Sequence, residues 1–143
     1  MKPHFRTVGE IIITNTLFAR EESPAYAVAM KLLAKSFQGL PVLDHSGKVV
    51  GKVTEINLLK ALKAGKNLRK TTVREIMAEA PPVVDTETLL ERAVEIMEAN
   101  QLVRLPVMKN GRFIGSVSRH DLLRAWLGVW LDHERGSYAE VIG

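Results

Sequence analysis

The chain has 143 residues, a formal charge of +4 and 46% hydrophobic residues. That size fits one ordinary domain or two very small subdomains sharing a core, and the apolar fraction excludes disorder over most of its length. There is no cysteine, which excludes a disulfide scaffold, a thiolate metal site and a cysteine nucleophile.

The opening, Met-Lys-Pro-His-Phe-Arg, has no apolar stretch behind it of the kind an export signal carries. Apolar runs such as Ile11-Ile12-Ile13 are far shorter than the roughly 20 residues of a spanning helix, so a soluble, cytoplasmic protein is expected. Residues 1–6 read as an extension, and Thr7 precedes a short helical turn. Leu17-Phe18-Ala19 reads as a strand, and Ser23 as an N-cap with Pro24 at the first helical position. Ala25, Val28, Ala29, Leu32 and Leu33 then recur at helical spacing. Residues 40–43 and 49–53 flank Asp44-His45-Ser46-Gly47 as a hairpin, and Thr54 caps a closing helix. Lys60, Lys63, Lys66, Arg69 and Lys70 crowd a stretch without acid. Residues 63–71 read as a solvated linker; a nucleic-acid or anion patch is the alternative, without interleaved aromatics to support it.

Thr72 opens the same order again. Val83-Val84 reads as a strand, and residues 87–100 as a helix with Leu89, Leu90, Ala93, Ile96 and Met97 inward. Residues 105–108 and 113–117 flank Asn110-Gly111, a strong hairpin signal, and Ser118 caps the last helix. That helix is predicted to continue through Trp126-Leu127-Gly128-Val129-Trp130-Leu131, which places Trp126 and Trp130 on one face. That face reads as core packing or as a partner surface, and the polar residues 132–143 as a frayed tail.

The order repeats because the sequence does. Thr7-Val8-Gly9-Glu10-Ile11 returns 65 residues later as Thr72-Val73-Arg74-Glu75-Ile76, and Leu40-Pro41-Val42 returns at the same offset as Leu105-Pro106-Val107. Gly51-Lys52-Val53-Thr54 returns 64 residues later as Gly115-Ser116-Val117-Ser118. Each copy reads β-α-β-β-α, in an α/β (α+β) fold. One copy is too small to bury both faces of its sheet, so two copies related by a pseudo-two-fold axis are expected to pack through their sheets. The divisions are residues 7–62 for repeat 1, 63–71 for the linker, 72–126 for repeat 2 and 127–143 for the extension and tail.

Two β-α-β-β-α copies, each with an apolar-Pro-apolar strand and then Gly-x-x-(Ser/Thr)-x-x-Asp or its Asn variant, resemble a tandem CBS-domain pair, or Bateman module, over about residues 7–126. The resemblance implies a regulatory module that binds AMP, ADP, ATP or S-adenosylmethionine in the cleft between repeats. It implies a homodimer that signals to a partner. The pair fills almost the whole chain, so that effector is expected to be a separate protein.

Ser118 and Asp121 lie near the start of the last helix. Free N–H groups there favour an anion, and a carboxylate can accept both hydroxyls of a ribose. The same Ser-x-x-acid spacing is a capping box. The resemblance makes Asp121 the ribose ligand, Ser118 a ribose or phosphate contact, Arg104 a phosphate-facing cation and His120 a residue at a position that sometimes faces the phosphate. It places Pro82 and Val83 against the purine. Copy one departs, with Asn57 for the acid and Gly39 for Arg104, so a second, weaker site is expected at Leu17, Phe18, Thr54 and Asn57. The alternative is a ligand-free homodimeric interaction module using the Trp126 and Trp130 face. His4, His45, His120 and His133 lack a metal-ligand spacing. No Gly-x-Ser-x-Gly or phosphate-binding glycine motif is present. Neither a metal, a cofactor nor an enzymatic activity is expected.

Overall fold

The computed structural model describes residues 1–132 and 137–140. In copy one, buried Leu40 and Val42 alternate with half-buried neighbours on β2 (Gly39–Leu43), which pairs antiparallel with β3 (Val49–Thr54). The short β1 (Ala19–Arg20) runs parallel to β2 on its other side. Helices α1 (Ala25–Lys35) and α2 (Glu55–Lys63) bury Val28, Leu32, Leu58 and Ala61 in the same core. Copy two repeats the plan. Its sheet runs β4 (Val84–Asp85), β5 (Arg104–Lys109), β6 (Arg112–Ser118), with β4 parallel to β5. Helices α4 (Leu90–Asn100) and α5 (Arg119–Leu127) add Leu90, Ala93, Met97 and Leu122 to a core with Leu105, Val107 and Val117. Burial of each such leucine contributes about 1.5–3 kcal/mol. The β5–β6 turn has positive φ at both Asn110 and Gly111, the conformation that Asn-Gly accepts at least cost.

The compact units gather segments from both copies. The copy-one unit holds residues 16–81 and 110–113; the copy-two unit holds residues 1–15, 82–109 and 114–143. In the copy-one unit, the short helix α3 (Val73–Ile76) docks through Val73 N–H to Ser23 O and Arg74 N–H to Glu21 O, each 2.9 Å. Val73 is wholly buried there. In the copy-two unit, a 3-10 turn at Val8–Glu10 docks through Val8 N–H to Thr88 O at 2.8 Å, and Val8 is wholly buried. Each docked opening then crosses a sheet edge, pairing Ala78 with Lys52 and Asn15 with Ser116. A glycine stands beside each crossing. A Cβ on Gly51 would lie 2.9 Å from Ala78 O, and one on Gly115 would lie 2.9 Å from Asn15 O. The glycine of the repeated motif thus leaves room for backbone.

Several boundaries differ from the sequence reading. Pro24 is the N-cap of α1, and Leu89, expected inward, is the exposed N-cap of α4. The first strand of each copy lies a residue or more further along than expected, at Ala19–Arg20 and Val84–Asp85. Leu33 ends the apolar stripe of α1 but is exposed, because the buried arc is filled by Ala25, Val28 and Leu32.

The largest correction is at the last helix. It stops at Leu127, and Gly128 takes φ +66 with its N–H on Arg124 O. The N-terminus closes this end: His4 N–H meets Trp126 O at 2.9 Å, and the Trp126 Nε1–H meets Met1 O at 3.1 Å. The carbonyls of Arg124 and Trp126 at the helix end are thereby satisfied. The chain continues as β7 (Val129–Asp132), antiparallel to β8 (Ser137–Glu140). Trp130 therefore lies on a strand and shares no helix face with Trp126. The frayed tail expected over residues 132–143 includes that second strand. Residues 133–136 and 141–143, and the side chain of Trp130, lie outside the described residues.

Candidate functional site

The copy-two residues singled out by sequence gather at one end of the β4-β5-β6 sheet. Val84 pairs with Val107 in parallel register, so Pro82 and Val83 enter β4 beside the start of β5, where Arg104 stands. Ser118 ends β6 at the same edge, because Arg119 N–H, the first of α5, donates to Val103 O at 3.0 Å. Val83 and His120 are exposed, and Pro82, Arg104, Ser118 and Asp121 are half-buried.

Ser118 and Asp121 form a reciprocal cap. Ser118 N–H donates to Asp121 Oδ2 at 2.8 Å, and Asp121 N–H donates to Ser118 Oγ at 3.1 Å. The other carboxylate oxygen, Oδ1, accepts from Arg124, one turn on. A carboxylate presents about four lone-pair positions, and these contacts use two. Asp121 keeps 18% of its side-chain surface open. The cap and a contact to a hydroxyl donor are therefore compatible at one carboxylate. The exposed basic groups near the same helix start, Arg119 and His120, supply donors suited to an oxyanion. Sequence reasoning missed Arg124. Its signal was the (i, i+3) spacing from Asp121.

Copy one has the same arrangement with different groups. Thr54 caps α2, its N–H donating to Asn57 Oδ1 at 2.8 Å and its Oγ1 accepting from Asn57 N–H at 3.4 Å. Gly39 pairs with Thr54 at the position equivalent to Arg104. A Cβ there would lie 3.0 Å from Val53 O, so the backbone crowds this position. Leu17 and Phe18 precede β1 and are half-buried. Phe18 meets the Phe113 ring edge-on at 5.9 Å, and the Arg20 guanidinium lies 5.0 Å and the Lys31 ammonium 5.8 Å from the Phe18 ring centre. Lys31 also donates to Phe18 O at 3.1 Å. Sequence reading assigned none of these cations to Phe18. The strand-to-helix separation hides the contact.

The expected solvated linker is buried at Leu68 and Thr71. Leu68 is buried in the copy-one core, and the Arg69 guanidinium stacks 3.9 Å from the Tyr26 ring centre. Among the described residues no helix is long and apolar enough to cross a membrane.

Comparison with known proteins gives one consistent result. The family model of the CBS domain matches residues 8–64 and again residues 73–128. The structure of CBSX2, a CBS-pair protein from Arabidopsis thaliana, is 28% identical, with a TM-score of 0.71 over 83% of this chain and 92% of that one. A structure of CBSX2 in complex with AMP is also 28% identical, with a TM-score of 0.69 over 85% and 96%. Arabinose 5-phosphate isomerase KdsD of Pseudomonas aeruginosa is 35% identical over 97 residues, 67% of this chain but 30% of that enzyme.

Proposed function

Because the chain belongs to the CBS-domain family, we propose that it is a regulatory module that binds an adenosine-containing ligand, AMP, ADP, ATP or S-adenosylmethionine, and signals its occupancy to an effector protein. The observation that carries this reading is the convergence of Pro82, Val83, Arg104, Ser118 and Asp121 at one end of the copy-two sheet. The AMP complex of CBSX2 supports the choice of adenosine. In this reading the ribose hydroxyls donate to the lone pairs of Asp121 that the cap leaves open. The phosphate end lies by Ser118 and the start of α5, with Arg104 and His120 facing it. Pro82 and Val83 form an apolar edge for the purine.

Copy one takes ligand weakly or not at all. Its Asn57 offers one acceptor oxygen, already used by the cap, and Gly39 brings no cation. Leu17, Phe18, Thr54 and Asn57 would then form the weaker site. The module works as a homodimer, and the reading assigns no catalytic step.

Thermal unfolding with each of the four ligands tests this. Ligand at about 100 times its dissociation constant stabilises by about 2.7 kcal/mol, which for a chain of this size is roughly 5–10 °C. A rise with one ligand that disappears in Asp121→Ala supports a copy-two site. No rise with any of them at millimolar concentration removes the sensing function and leaves an interaction module.

A further inference from the structure

The two helix pairs carry equivalent positions but have diverged in shape and charge. Between α4 and α5 of the copy-two unit runs a groove of about 530 Å³ lined by Val94, Met97, Leu123 and Trp126, with the exposed Glu98 and Arg119 also bordering it. Glu91 and Glu98 lie three before and four after Val94, so they share its stripe on α4. The equivalent faces of α1 and α2 project leucines instead. Leu33, which matches Glu98, is 72% exposed; Leu59, which matches Leu123, 58%; and Leu62, which matches Trp126, 51%. Lys60 and Lys63 stand exposed beside these leucines on α2. The imbalance extends to the whole units. The copy-one unit has twelve Lys and Arg against six Asp and Glu; the copy-two unit has eight against ten.

From this we infer that the homodimer of the proposed function pairs unlike faces: the leucines of the α1–α2 face of one copy enter the α4–α5 groove of a second copy. The inference rests on the dimeric reading above and adds its direction. Unlike pairing sets Lys60 and Lys63 near Glu91 and Glu98. Like pairing sets lysines against lysines and glutamates against glutamates, and juxtaposed like charge selects against that arrangement. The apolar surface supplies the contact, and the rims choose the register.

The chain lacks cysteine, so single cysteines report direction cleanly. Leu33→Cys and Leu123→Cys both alter exposed positions. With the full chain and a short bis-maleimide, a mixture of the two variants is expected to cross-link, and either variant alone is not. Self-linking of either one in a dimer overturns the direction but not the dimer. Sedimentation as a monomer at high micromolar concentration overturns both, while the ligand-induced thermal shift still reports on sensing. Charge reversal gives a second readout. Lys60→Glu with Lys63→Glu is expected to weaken dimerisation about tenfold. Adding Glu91→Lys and Glu98→Lys to the same chain is expected to restore it. Dimerisation unmoved by the first pair of changes overturns the inference.

Discussion

Replacing Gly115 with alanine tests whether the chain opening docks as described. Gly115 holds φ +149, a conformation that side chains rarely adopt, and its Cβ would collide with Ile13 Cγ2 and lie 2.9 Å from Asn15 O. The methyl of Ile13 can turn aside, but the carbonyl belongs to backbone tied at 2.8 Å to Ser116 N–H. Overpacking of this kind costs about 1–3 kcal/mol, and the backbone conformation a further ~1–3 kcal/mol. The expected loss is thus about 2–6 kcal/mol, a fall in Tm of roughly 5–25 °C. Gly111 provides the control. Its φ is +77 with nothing within 4 Å of a Cβ, so Gly111→Ala carries only conformational strain of about 1–2 kcal/mol. Urea unfolding at unchanged m-value measures both. If Gly115→Ala loses no more than Gly111→Ala, residues 13–15 do not cross the strand there.

Three further outcomes are expected. Leu105→Ala, at a wholly buried position, should cost about 2–5 kcal/mol in urea unfolding, whereas Leu33→Ala on the exposed face should change monomer stability by less than about 0.5 kcal/mol. Asp121→Ala should destabilise the ligand-free chain by about 1 kcal/mol through loss of the α5 cap, and Asp121→Asn by less, because Asn57 makes the equivalent cap in copy one. Asp44 is held below its usual 3.8 by hydrogen bonds from the Ser46 side chain and the Lys48 N–H, and Glu75 below 4.5 by hydrogen bonds from the Thr72 N–H and side chain. Their stabilisation is complete above these ordinary values and is lost as pH falls through the lowered ones. Urea midpoints should therefore fall as pH drops below about 4, with a smaller fall in Asp44→Asn.

The repeat made most of the fold legible. A pattern that recurs at one offset through turn, hairpin and cap reports the same local structure twice, and Asn110-Gly111 named its own turn. What the sequence could not show was long-range. Nothing local in Thr72-Val73-Arg74-Glu75 says that it docks against Glu21 and Ser23, because those partners lie some fifty residues away along the chain. Apolar spacing beyond Leu127 suggested a longer helix. Gly128 was the available stop signal, and its left-handed conformation ended the helix. At the candidate site, the spacing of Ser118 and Asp121 spoke for a helix cap, which is what they form, and their reading as ligand contacts came from the family resemblance. Arg124 was passed over because a surface arginine on an amphipathic helix usually faces solvent, and its pairing with Asp121 depends on how the cap orients the carboxylate.

The central claim, a copy-two adenosine site built on Asp121, is tested most directly by calorimetric titration of AMP, ADP, ATP and S-adenosylmethionine into wild type, Asp121→Asn and Asn57→Ala. Asparagine supports the same cap, so Asp121→Asn separates ligand binding from folding. One ligand bound per chain is expected, at least about tenfold weaker in Asp121→Asn, the loss expected for a charge-assisted hydrogen bond, and nearly unchanged in Asn57→Ala. Equal binding by wild type and Asp121→Asn, or no binding of any of the four to wild type, would contradict it.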